Sequence, residues 1–143
     1  MENLYLYGWK NYISNTNHSE LESSKNKIGR VISIKGNIHE VVTETGVLKA
    51  ELPGKLLYAC EKWEQPKVGD WVKYLDYGDN SFIEDVLPRF NQLYRKTAGK
   101  EIEKQVMVTN VDKAVVVQGV DNDFNINRME RYVLQILTCK ITP

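Results

Sequence analysis

Cationic and aromatic side chains are the residues of this chain whose types and spacing could do chemistry, and the chemistry is the binding of phosphates and bases. Lys35 and Asn37 flank Gly36 at a hairpin tip, His39 follows on the next strand, and Lys49 faces outward on the one after. Trp63 lies beside Lys62 and near Lys67. Arg89, Arg95, Lys96 and Lys100 run through 87–104, joined by Lys104 and opposed by Glu101 and Glu103. Lysine and arginine neutralise phosphates, and an aromatic ring offers a stacking face to any base. Taken singly, each lysine reads as a solvated surface charge, and His39 as a solvent-side strand residue that could meet phosphate when protonated. The cluster Arg95–Lys100 and the aromatic Trp63 carry more weight. Tyr58 and Tyr74 are further stacking candidates, whereas Trp71 sits mid-hairpin and reads as core filler.

Other chemistries find little support. Asp121, Asp123 and Asn125 have the spacing of a calcium loop's first ligands. Ile126 stands where such a loop needs glycine, however, and Tyr132 where it needs glutamate. Cys60 and Cys139 form no C-x-x-C pair, so neither a zinc knuckle nor a disulfide framework is expected, and two lone thiols suit a reducing cytosol. His18 lies in a polar stretch and reads as solvated. With 19 basic and 19 acidic residues the formal net charge is +0, so nucleic-acid binding must rest on local patches. No apolar run reaches membrane-spanning length and no secretory leader pattern opens the chain, which reads as cytoplasmic and without a membrane partner.

The elements that must position these residues are mostly strands. Pro66–Val86 reads as one β-hairpin, with β-branched and aromatic runs around Tyr77-Gly78-Asp79-Asn80. Upstream, Arg30–Lys35, Ile38–Thr43 and Val47–Leu52 form a meander with turns at Gly36-Asn37 and Glu44-Thr45-Gly46. Leu48, Ala50 and Leu52 alternate inward, Lys49 and Glu51 outward. Lys55–Gln65 fits a short helical turn. Three strands, a connector and a hairpin make the order of a five-stranded OB-type barrel, with an SH3-like barrel as the rival. The aromatic Met1–Ile13 reads as a terminal segment docking on the nearest core. Ser14–Lys27 reads as a polar loop, and 93–104 as a basic linker. Gln105–Asn110 reads as a strand, and Lys113–Gly119 as a second strand buried on both faces because Ala114–Val117 is a continuous apolar run. Asn127–Cys139 has helical apolar spacing, with Asn127 and Glu130 resembling a capping box. One helix cannot cover both faces of such a strand, so the chain is expected to be the front of a longer α/β protein.

A set of short motifs adds a resemblance. Gly29–Arg30, Leu52–Lys55 (LPGK), Val68–Val72 (VGDWV), Leu87–Arg89 (LPR), Arg95–Gly99 (RKTAG), Gln105–Asp112 (QVMVTNVD) and Asp121–Tyr132 (DNDFNINRMERY) stand in the order seen in the small-ribosomal-subunit-dependent GTPase A family, RsgA. Leu6-Tyr7-Gly8-Trp9 also resembles the opening of one branch. The resemblance implies a mainly β front part. Residues 1–27 would be an N-terminal extension with a linker, 28–92 the OB barrel, 93–104 the linker, and 105–143 the start of a circularly permuted, truncated GTPase domain. It implies GTP, magnesium and zinc for a full-length member. This chain carries no G-x-x-x-x-G-K-[ST], and Asn110-Val111-Asp112-Lys113 only mimics N-K-x-D, so no catalytic, nucleotide-binding or metal residue is assigned. It also implies small-subunit rRNA as partner of the barrel, reached through the 1–2 loop, Lys49, the Lys62–Lys67 stretch and the basic track, whereas Asp76 and Asp79 would repel phosphate at the 4–5 loop. Asp121–Asn125 would order the domain rather than read nucleotide. The alternative is a free-standing OB or SH3-like binding module with an oligomerising C-terminal arm. On either reading the apolar C-terminal segment is expected to self-associate.

Overall fold

Alternating β-branched residues and glycine-bearing turns place the first strands where the pattern puts them. The computed structural model describes residues 2–16, 27–58, 60–96, 104–122 and 124–143. Its strands are β1 (Ile28–Lys35), β2 (Ile38–Thr43), β3 (Gly46–Glu51), β4 (Trp71–Asp76), β5 (Ser81–Val86), β6 (Gln92–Lys96) and β7 (Lys104–Thr109). Its helices are α1 (Glu2–Leu6), α2 (Trp9–Thr16), α3 (Gly54–Tyr58) and α4 (Ile126–Thr138). Gly36, at φ 61°, makes the β1–β2 turn in a region where L side chains are strained.

Strands β1–β5 close into a barrel in the order β1-β2-β3-β5-β4. One strand serves two neighbours: the start of β1 pairs with β4 (Gly29 opposite Val72) and its remainder with β2 (Ile34 opposite His39). A register shift between Val31 and Ser33 bends β1 so that it can do both. A parallel seam, Ala50 opposite Ser81, joins β3 to β5. The closed order with this seam is the OB arrangement and decides against the SH3-like rival. Val31, Val41, Ala50, Leu52, Val72 and Ile83 fill the interior, and Leu48 packs against them, as the alternation along β3 requires.

A barrel of this size buries a modest core, and the N-terminal residues add to it. Leu4, Trp9 and Tyr12 pack with Ile28, Trp71 and Leu87 into a second buried cluster. Trp9 meets Trp71 edge-on at 4.7 Å between ring centroids, and the Tyr12 hydroxyl donates to the Pro88 carbonyl at 2.8 Å. Residues 2–13 therefore dock as expected, as two helices, and α2 continues through Thr16 into the stretch read as a polar loop, of which 17–26 lie outside the described residues. Trp71 fills the seam between barrel and helices and offers no face to a base.

The C-terminal third departs from expectation at three points. The stretch 93–104, read as a linker, is strand over its first residues: β6 pairs antiparallel with β7, Leu93 opposite Val108 and Tyr94 opposite Val106. Lys113–Gly119 is not a strand buried on both faces. A single parallel bridge links Lys113 to Thr142, Val115 and Val117 are 85% and 89% exposed, and only Ala114 and Val116 turn toward Ile136, Cys139 and Ile141. The helix begins at Ile126, and its N-cap is Asn125, whose side chain accepts from the Arg128 N–H at 3.0 Å; Asn127 lies inside the first turn.

Candidate nucleic-acid interface

The β3–β4 connector, which presents Trp63, is positioned by a buried ion pair. Asp70 stands at the mouth of β4, fully buried, in a segment otherwise apolar. Arg89 donates to both its oxygens, Nε to Oδ1 at 2.8 Å and Nη2 to Oδ2 at 2.7 Å. The remaining donors reach the Trp63 carbonyl (2.7 Å), the Gln65 carbonyl (3.0 Å) and Gln92 Oε1 (3.3 Å). Those contacts use the five N–H groups a guanidinium has. Asp70 also accepts from the Lys67 main chain at 2.8 Å and from the Thr109 hydroxyl at 2.6 Å. A carboxylate buried this deeply requires such a set of partners.

A second group of polar contacts joins the barrel to the β6–β7 sheet. Arg30 Nη2 donates to the Asn110 carbonyl at 2.8 Å and Nε to the Gly69 carbonyl at 3.2 Å. The Asn110 side chain donates to the same Gly69 carbonyl at 3.1 Å and accepts from the Phe90 N–H at 3.1 Å. Gly69 has φ +96°, and a Cβ there would lie 2.0 Å from the Thr109 carbonyl oxygen. The backbones touch because glycine leaves room. Gly29–Arg30, Val68–Val72, Leu87–Arg89 and Thr109–Asn110 thus converge on one joint. The motif order in the sequence is the order in which the chain returns to it.

The expected phosphate and base contacts divide accordingly. Lys35 and Asn37 are exposed at the 1–2 loop, with Lys35 paired to Glu40 at 3.6 Å. Lys49 is exposed and shares a groove of about 510 Å³ with Asp76 and Asp79, acidic company for a phosphate. Lys62 and Trp63 are exposed together on the connector, and Arg95 is exposed on β6. The Lys96 side chain, Lys100 and the rest of 97–103 lie outside the described residues.

Three residues need correction. His39 points inward: it is 2% exposed and its Nδ1 lies 3.3 Å from the Asn37 carbonyl. Burial pushes its pKa down, the Asn37 contact opposes, and Lys67 adds to the fall. A neutral, enclosed imidazole meets no phosphate. Arg89 has no donor to offer RNA. Lys67 is half-buried, with its pKa lowered by burial and by Arg89 against the pull of Asp70, so it borders the site rather than projecting from it.

Sequence reasoning assigned no role to Asp70, Gly69, Arg30 or Asn110. The signal for Asp70 was present: a lone carboxylate between Gly69 and Trp71, in a strand entry flanked by valines, needs a buried cation. Among the described residues there is no group of three or more His, Cys, Asp or Glu side chains that could hold a metal ion. No described helix is long and apolar enough to cross a membrane.

Barrel, joint and strand pair define a class: an OB-type barrel with an α/β extension joined to it through the hydrogen bonds of Arg30 and Asn110 around Gly69. A profile of the RsgA GTPase family matches residues 86–143. A relative from Bacteroides thetaiotaomicron, called small ribosomal subunit biogenesis GTPase RsgA 1, is 38% identical over 143 residues, covering 99% of this chain and 40% of the relative. One from Leptospira interrogans, called small ribosomal subunit biogenesis GTPase RsgA, is 32% identical over 132 residues, covering 91% of this chain and 35% of its own. The crystal structure of YjeQ from Thermotoga maritima matches with a TM-score of 0.59 and 25% identity, over 81% of this chain and 38% of that one. That of YloQ, described as a circularly permuted GTPase, matches in fold with a TM-score of 0.59 at 22% identity, over 82% and 39%. The chain belongs to the RsgA GTPase family and spans about two-fifths of the length of the Bacteroides relative.

Proposed function

We propose that this chain is the ribosome-anchoring part of a GTPase that acts in small-subunit biogenesis, and that its barrel holds the protein on small-subunit rRNA in the cytoplasm. The observation that carries this reading is the 38% identity, along 99% of the chain, to a protein of that name. The exposed Lys35, Asn37, Lys62, Trp63 and Arg95 support it, because folded rRNA offers phosphates, 2′-hydroxyls and splayed bases rather than a readable groove. In this reading GTP, magnesium and zinc bind outside these residues, and the chain contributes attachment rather than turnover.

The test is co-sedimentation with purified small and large ribosomal subunits across a salt series. Binding to small subunits alone, weakening steeply as salt rises, is expected, with a slope of about −0.7 per phosphate contacted if the contacts are to unpaired RNA. Equal binding to both subunits, or none at low salt, overturns it.

One observation favours a second activity. Met107, Val115, Val117, Leu134 and Leu137 are all more than half exposed around the β6–β7 sheet and α4. We propose that this face self-associates, which is the oligomerising-arm reading in a form compatible with the first.

A further inference from the structure

Trp63 and the connector that carries it deserve a specific ligand. The chain has three tryptophans. Trp9 and Trp71 are 0% exposed in the core, while Trp63 is 50% exposed and Tyr58, on the same connector, is 85% exposed. A large aromatic at the surface is ordinarily carried on a loose segment or pressed flat for packing. Here the main chain beneath it is pinned from below. Arg89, itself fixed by buried Asp70, holds the carbonyls of Trp63 and Gln65. The Gln65 side chain donates to the Leu57 carbonyl at 3.1 Å, tying the connector to the helix that ends at Tyr58. Glu64 accepts from the Glu61 N–H through its carboxylate at 3.1 Å. A buried ion pair is therefore used to hold still a segment whose exposed product is an indole. The local charge suits an anion: Lys55, Lys62 and Lys67 stand against Glu61 and Glu64, and Glu64 is turned to its own backbone.

We infer that Trp63 is a stacking platform for an unpaired nucleobase, with Lys62 placed for the phosphate beside that base. The ligand class is single-stranded RNA, a loop or a splayed nucleotide, because a duplex shows no open base face. A preorganised ring loses little freedom when a base settles on it, which is what the Arg89 clamp supplies. The inference rests on the rRNA reading above and narrows it to one kind of RNA element.

Because the other two tryptophans are buried, a change in tryptophan emission on binding reports Trp63. The full chain is titrated with an unstructured single-stranded RNA of about 12 nucleotides, near the site size of an OB fold, and with an RNA duplex of equal length. Quenching by the single strand and not the duplex is expected. Read by the anisotropy of end-labelled RNA, since these variants lack the reporting indole, Trp63→Ala should weaken single-strand binding by about tenfold and Trp63→Phe should restore most of it. The thermal midpoint of Trp63→Ala should match that of the parent, since the ring is half outside the fold. Equal quenching by duplex, or unchanged single-strand affinity in Trp63→Ala, overturns the inference. Quenching by RNA-free ribosomal proteins but not by RNA also overturns it and makes the site a protein contact. Co-sedimentation separates the two readings. Parent protein that binds small subunits while Trp63→Ala binds equally well leaves the rRNA reading standing and removes this one. Parent protein that ignores subunits but is quenched by single strands does the reverse.

Discussion

Arg89 shows how a residue chosen for its charge can be committed elsewhere. Its guanidinium sits between a buried carboxylate and two connector carbonyls, so its removal orphans Asp70 as well as loosening Trp63. Breaking one partner of a buried pair costs about 3–5 kcal/mol, and we expect Arg89→Met to lower the unfolding free energy in urea by that order. Arg89→Lys should recover little, because a point charge cannot make the forked contact. His39 makes a pH prediction. Its pKa is lowered in the folded chain, so the unfolded chain binds the proton first as pH falls below about 6.5. Stability is complete above that value and declines as pH falls toward the folded pKa. One proton gives at most about 1.4 kcal/mol per pH unit. Thermal melts from about pH 7.5 to about pH 5.5, either side of the ordinary imidazole pKa, should show the decline in the parent and a flatter profile in His39→Gln. Neither role could be read from the sequence. A histidine in an alternating strand shows its face only once the register of β2 between β1 and β3 is known, and Arg89 meets Asp70 only through the register of the β4–β5 hairpin, Val72 opposite Val86.

At the scale of elements, local signals located the barrel well. Turn residues at Gly36-Asn37 and around Gly78, with period-two alternation along β3, are short-range properties, and the strands followed them. The errors lie where tertiary context decides. Arg95 and Lys96 made β6 look like a linker, although its apolar members Leu93 and Tyr94 needed only the facing Val106 and Val108 to form a strand pair. Ala114–Val117 looked doubly buried because four small apolar residues in a row hide an alternation in which only Ala114 and Val116 face the neighbouring core. Gly69 tests the joint between the two sheets. Gly69→Ala places a methyl against the Thr109 backbone at a strained φ, so β7 must move away from the barrel. Amide exchange should quicken along β7 while the amides of β2 and β3 stay protected. Protection lost uniformly would mean that the joint is not a separate element. Trp9→Ala tests the N-terminal helices: truncating a buried tryptophan costs about 3–5 kcal/mol, and here it uncovers Trp71, so a red-shifted emission should accompany the loss.

At the scale of the whole molecule, the balance of 19 basic and 19 acidic residues leaves little repulsion between copies. With Val115, Val117, Leu134 and Leu137 exposed, sedimentation should show association that rises with concentration and weakens in Val115→Lys. A monomer at every concentration would remove the self-association proposal. The docking of α2 has a consequence for how the molecule is made. Residues 2–16 leave the ribosome before the barrel strands, yet several of the groups that hold them, Trp71, Leu87 and the Pro88 carbonyl, follow only with β4 and the end of β5. At about 5–20 residues per second, the first helices wait several seconds as marginal peptides of 5 and 8 residues with their tryptophan uncovered. The two helices thus complete their docking only once the β4–β5 end of the barrel is available. Stalled nascent chains ending before Leu87 should leave this segment open to protease, and chains extended well past Arg89 should close it.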